Sequence, residues 1–271
     1  MRNRRFAILM MSLSLAWVCG NAQSGSPGRN APELFEKGMN ALQGSGATRS
    51  TPDAIDYFRR SAELGFAPAQ VVLGYFYDTG NGVTAEPRAA LEWYKKAGQQ
   101  DDALAQWLAG RIIYAGLVPP RDLNEAQNWL KKSSAHGDPF ADYFLAQIAL
   151  ERSDYVRSES EFRRAAEQGL PQAQRALAQL LRDGHGAAPD YVEAYIWLLM
   201  SYDAGLRDSM TDLQALEAEL SSNQLEEAKS KARELEGTMS RSTAAHGCSG
   251  WPGEFHVIPT PPPPDLQRFC R

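Results

Sequence analysis

Four basic pairs stand along this chain at nearly one spacing: Arg59-Arg60, Lys95-Lys96, Lys131-Lys132 and Arg163-Arg164. If the backbone brings such pairs into line, they can hold an anion, either an acidic peptide or an anionic glycan, by Coulomb attraction. A structural reading competes with this one. Cations near the C-terminal end of a helix stabilise its dipole whether or not anything binds. Arg60, Lys96, Lys132 and Arg164 are therefore the candidate partner-binding row, with both readings open. The fifth equivalent stretch, WLLMSY at 197–202, breaks the row with Leu199 and Met200. These residues either pack under the helices that follow or form an exposed apolar binding patch.

Other reactive groups are few. His246, Cys248, His256 and Cys270 cluster near the C-terminus, but His-x-Cys and Cys-x7-His match no tight zinc spacing. A disulfide between Cys248 and Cys270 is the better expectation in an oxidising compartment. It would close a loop of about 21 residues, worth roughly 3 kcal/mol if unstrained. His136 and His185 sit beside glycines and read as solvated turn residues. Glu63, Asp78 and Asp183 are single carboxylates near turns. There is no Ser-x-x-Lys, no Gly-x-Ser-x-Gly, no phosphate-binding glycine loop and no His-Glu-x-x-His. The expectation is a protein that is not an enzyme, with no cofactor and no metal.

The 271 residues carry a net charge of −5, and an acidic chain lacks the basic footprint that nucleic-acid binding requires. The start is different in character. MRNRR is basic, Phe6 to Val18 is apolar, and Gly20 and Ala22 are small residues spaced for signal peptidase. Residues 1–22 thus read as a cleaved signal peptide, too short in its apolar run to span a membrane, which places the mature protein in a periplasm or outside the cell. Residues 23–31 read as a linker. At the other end, residues 238–271 read as a flexible, proline-rich tail, because PTPPPP at 259–264 favours polyproline II. That tail is either a spacer or a ligand for an aromatic groove.

What would align the basic pairs is a repeat. Tyr57, Trp93, Trp129, Glu161 and Trp197 follow at intervals of 36, 36, 32 and 36. Ala54, Ala90, Ala126 and Ala194 precede four of them by three residues. Small residues recur at Gly74, Gly110, Ala146 and Ala178, and Gly80, Gly116 and Gly184 close the units. Each unit reads as two helices, such as Pro87 to Ala97 and Leu104 to Tyr114. Neither helix can bury its apolar stripe alone, so stacked units shelter one another. On this reading the tryptophans are the large core residues, matched to the small ones. Residues 32–43 read as an unpaired opening helix. After Gly205 the period stops, and 208–237 read as two capping helices. Ser209 with Asp212 and Asn223 with Glu226 are expected as capping boxes, and Gly237 as the final C-cap.

AALEWYKKAG and AQVVLGYFYDTGNGV carry a resemblance to the Sel1-like repeat, a relative of the tetratricopeptide repeat. The resemblance covers about 33–207 in five copies. It weakens at the fourth, where Glu161 replaces Trp and four residues are missing, and at the end of the third, which lacks the closing glycines. It implies an all-α, right-handed superhelical solenoid of stacked antiparallel helix pairs over 32–207. It also implies a non-catalytic scaffold, adaptor or regulator binding another protein of the cell envelope. Some secreted proteins of this kind are associated with β-lactam binding, but those carry cysteine pairs within each repeat, and this chain has none between 23 and 247. The alternative function is a cell-wall enzyme or a small-ligand binder of β-lactam type.

Overall fold

The computed structural model describes residues 28–44, 50–185 and 188–242. The signal segment, most of the linker, the cysteine pair, His246, His256 and the proline run all lie outside these residues. Among the described residues every regular element is a helix: α1 (Ala31–Gln43), α2 (Thr51–Glu63), α3 (Ala67–Thr79), α4 (Pro87–Gly98), α5 (Ala103–Tyr114), α6 (Leu123–Ser134), α7 (Pro139–Glu151), α8 (Tyr155–Glu167), α9 (Pro171–Asp183), α10 (Tyr191–Asp203), α11 (Ser209–Glu217) and α12 (Ser222–Ser242). Successive helices pack in chain order, giving a right-handed superhelical solenoid.

Local chemistry sets the helix starts. Pro52, Pro68, Pro87, Pro139 and Pro171 lie in first turns, where a missing N–H is harmless. Asp102, Asp122, Asp138, Asp154 and Asp190 cap free backbone donors with their carboxylates. At the other ends, Gly44 and Gly80 adopt φ of 72° and satisfy the last turn, a conformation that costs glycine little.

The packing corrects the expected core. Trp197 is buried as expected, but Trp93 and Trp129 are only half-buried, whereas Tyr94 and Leu130, one residue later, are fully buried. The column of large core residues is therefore Phe58, Tyr94, Leu130, Phe162 and Leu198. Each of the first three presses on a glycine of the preceding helix. A Cβ on Gly38 would come within 2.7 Å of Phe58, one on Gly74 within 2.7 Å of Tyr94, and one on Gly110 within 2.6 Å of Leu130. A helix carries its buried stripe on a face more than 100° wide, and period alone does not say which of two neighbouring columns lies at its centre.

These contacts also correct the pairing. The closest approach runs across the loop after each small residue, joining α1 to α2, α3 to α4, α5 to α6, α7 to α8 and α9 to α10. The opening helix α1 is therefore paired rather than single. Ser61, Ser133 and Ser201 reinforce alternate pairs by donating their hydroxyls to Ala31 O, Ala103 O and Pro171 O.

The chain end differs as well. Ser209 is buried and its hydroxyl meets Ser201 Oγ at 2.9 Å, while Asp212 accepts from Arg175 and Gln179 instead of capping α11. The box at the start of α12 is formed by Ser221 and Gln224, each side chain bonding the other's backbone N–H. Helix α12 continues through Gly237 to Ser242. Leu199 and Met200 pack with Leu213, Leu216 and Ala228 of these closing helices, which favours the packing reading over the exposed patch.

Candidate functional site

The basic pairs fall in or just before the last turns of α2, α4, α6 and α8, and their two columns have different fates. The first column reaches sideways to the next helix of its own kind. Lys95 Nζ lies 2.6 Å from Glu125 on α6, and Arg163 binds Glu193 on α10 as well as Glu159 on its own helix. At the repeat position equivalent to Glu125 and Glu193 stands Arg157, a like charge to Lys131, and Arg157 turns to Glu161 at 3.7 Å, whose charge Lys131 also feels. Lys131 is exposed and makes no ion pair among the described residues.

The second column is the candidate row. Arg60 is exposed beside Asp56 at 3.8 Å. Lys96 Nζ stands 3.8 Å from the centre of the Trp93 ring, and Lys132 Nζ 4.6 Å from that of Trp129. Both are cation–π contacts at the surface, and neither lysine pairs with a carboxylate among the described residues. Trp129 also leans back across the end of α4, because a Cβ on Gly98 would meet its ring at 2.9 Å. The half-buried indoles and their lysines thus form a strip over α4 and α6, joined where the Trp129 ring lies on Gly98.

Arg164 leaves the row. Its Nε donates to Asp142 Oδ2 at 2.7 Å, and its Nη2 to Asp142, Glu161 and Ser134 Oγ. Those hydrogen bonds, Asp142's above all, hold its pKa above the ordinary arginine value. The cause is one substitution in a buried column. Gln70, Gln106 and Gln174 donate to Ala62 O, Gly98 O and Ala166 O across their turns. Asp142 fills the equivalent place in the third copy, and its side chain carries no amide N–H to donate. It takes Arg164 instead, with Gln168 at 3.4 Å. Aligning this column of glutamines in the sequence would have exposed the odd carboxylate.

Asp78 is a second residue whose role the sequence concealed. It is buried, paired with the buried Arg111, and accepts from Tyr94 Oη at 3.3 Å. Burial first, and then the Asp78 charge, push the Tyr94 phenol well above its usual pKa. Here a buried charge is matched by its partner. Glu63 is exposed, and Asp183 pairs with Arg182 at 2.8 Å. Of the histidines, His136 lies 3.2 Å from Asp101 and His185 stacks on Tyr155. Among the described residues no three His, Cys, Asp or Glu side chains converge on a metal position, and no helix is long and apolar enough to cross a membrane.

Comparison with known proteins bears on the repeat. The family model for the Sel1 repeat matches residues 38–66, 67–102, 103–138 and 171–206. Its frame runs from one small-residue helix into the next large-residue helix, as the packing does, and it passes over the shortened stretch 139–170. A structure of a protective antigen present in uropathogenic Escherichia coli strains, displaying an SLR fold, superposes with a TM-score of 0.71 at 29% identity. That match covers 79% of this chain and 47% of the antigen, so this chain spans about half its length. A Sel1 repeat protein from Oxalobacter formigenes gives a TM-score of 0.61 at 23% identity, covering 77% of this chain and 89% of that one. No protein of curated function matches.

Proposed function

Because this chain belongs to the Sel1 repeat family, whose members are generally protein–protein interaction scaffolds, we infer that it is a non-catalytic adaptor or regulator. Its partner is another protein of the cell envelope, engaged through the solenoid surface after export. The observation that carries the reading is the strip over α4 and α6. Two tryptophans that the repeat could have buried stay half-exposed beneath lysines that make no ion pair among the described residues, Lys132 acting on Asp101 only from a distance. Aromatic and cationic side chains together are what protein interfaces concentrate. The export half of the reading rests on the N-terminal signal pattern alone.

A photo-crosslinking side chain at Asn128, exposed beside Trp129, tests the surface against one at Ser230 on α12. One protein captured in cells from position 128 and not from 230 is the expected result. Capture from 230 alone would overturn it, as would reproducible turnover of peptidoglycan or a β-lactam that a single carboxylate replacement abolishes. Fractionation with N-terminal sequencing tests the address. A mature chain beginning at Gln23 in the periplasm or medium is expected, and an intact Met1 in the cytoplasm would refute it.

A further inference from the structure

We propose that the strip formed by Trp93, Lys96, Trp129, Lys131 and Lys132 docks an extended acidic segment of the partner, with a carboxylate at every third residue. This rests on the scaffold reading above and adds the chemistry of what is bound.

Three observations carry it. The first is charge left over. In this acidic protein most cations of the solenoid are engaged, including Lys95, Arg111, Arg121, Arg157, Arg163, Arg164, Arg175 and Arg182. Lys96, Lys131 and Lys132 make no ion pair among the described residues. Arg157 has the repeat position that Glu125 and Glu193 hold for Lys95 and Arg163, so Lys131 is left with the Glu161 charge, which it feels without forming an ion pair.

The second is width. Exposed Asp56 and Glu92 precede the lysine column by four residues, and exposed Glu63 and Glu167 follow it by three. At α6 these flanks become Asn128 and Ala135, while the exposed Asp101 carboxylate lies near enough to feel the Lys132 charge, so the positive strip is narrow and is bordered by acids. A flat anionic membrane would meet those acids, whereas a single chain laid along the strip would not.

The third is spacing. Helices in direct contact lie about 8–10 Å apart, and α4 and α6, bridged by the Lys95 and Glu125 side chains with little close backbone approach, are no nearer than that. A polyproline II chain turns once every three residues and rises about 3.1 Å per residue, so side chains on one face repeat about every 9 Å. Carboxylates at every third residue are therefore the closest one-face spacing that can reach successive lysines, while the apolar residues between them lie on the half-exposed indoles.

The test uses the purified mature chain and labelled peptides, read by fluorescence anisotropy. One peptide repeats Glu-Pro-Pro. A second has the same composition with its glutamates contiguous. The triplet peptide should bind more tightly than the contiguous one, and its affinity should fall as salt rises. The double variant Lys96→Glu/Lys132→Glu should weaken it about tenfold or more, with an unchanged melting temperature, while Lys231→Glu on α12 should leave it unchanged. The proposal fails if the double variant binds like the parent, if the two peptides bind alike, or if phosphatidylglycerol vesicles bind and the triplet peptide does not. A double variant that still crosslinks the same partner from position 128 would sink the acidic-segment proposal and leave the scaffold reading standing.

Discussion

Gly74 has no room for a side chain because the ring of Tyr94 occupies the place where its Cβ would be, 2.7 Å away. That contact, repeated at Gly38 against Phe58 and Gly110 against Leu130, sets how closely each helix pair closes. Replacing Gly74 by Ala gains helix propensity of about 1 kcal/mol, yet it forces the fully buried Tyr94 ring aside, an overpacking cost of about 1–3 kcal/mol. Gly237 is the matched control. It lies inside α12, and a Cβ added there would meet nothing within 4 Å. Gly74→Ala is expected to lower stability and Gly237→Ala to raise it, compared by urea unfolding. Equal shifts would refute the close-approach argument.

The corrected core makes a sharper contrast. Leu130→Ala is expected to cost about 2–5 kcal/mol, as large-to-small core changes do. Trp129→Ala should cost less, because that ring is half-exposed. Lys132→Ala should change stability by less than about 0.5 kcal/mol. Thermal melts of the three variants rank them. A Trp129 variant less stable than the Leu130 variant would restore tryptophan as the central core residue.

Asp142→Gln is a repair experiment. Glutamine at this position can donate across the turn as Gln70, Gln106 and Gln174 do, which offsets the loss of the Arg164 contact. The expected change is under about 1 kcal/mol. Asp142→Ala offers no such bond and should be clearly less stable. If the two variants melt alike, the turn-crossing bond contributes nothing.

Asp138 predicts a pH dependence. Burial raises its carboxyl pKa to about 6, opposed by the hydrogen bonds from Ser133, Phe140 N and Ala141 N and assisted by the Asp142 charge. The folded state thus holds this proton more tightly than the unfolded chain, whose aspartates titrate near about 3.9. The stabilisation is complete below about pH 4 and is lost as pH rises through about 6. Asp138→Asn keeps the cap and removes the titration. The difference in unfolding free energy between mutant and parent should therefore grow in the mutant's favour from about pH 4 to about pH 7, as followed by urea melts. A constant difference would refute the assignment.

How much of this is legible in the sequence depends on the range of each interaction. Helix starts at Pro87 and Pro139 and the turn at Gly80 are fixed by neighbours a few residues away, so local chemistry suffices to read them. The repeat interval and the all-helical class are legible for a related reason: each unit faces the same packing problem, and the same residue types recur as its solution. Gly237 is not the helix end that its residue type suggests, because nothing local stops α12 there; the helix runs on along α10, with Met239 still packed against the core.

The sequence by itself determined that these residues form stacked helix pairs bearing cations near one end, because periodicity and helix capping act over a single turn or a single repeat. Only the tertiary structure decided that Tyr94 rather than Trp93 fills the core, that Arg164 belongs to Asp142, and that Lys131 is left over. Each of those outcomes turns on a rotation of a fraction of a helical turn, or on which charge stands opposite across a packed interface, and neither is set until the helices have docked.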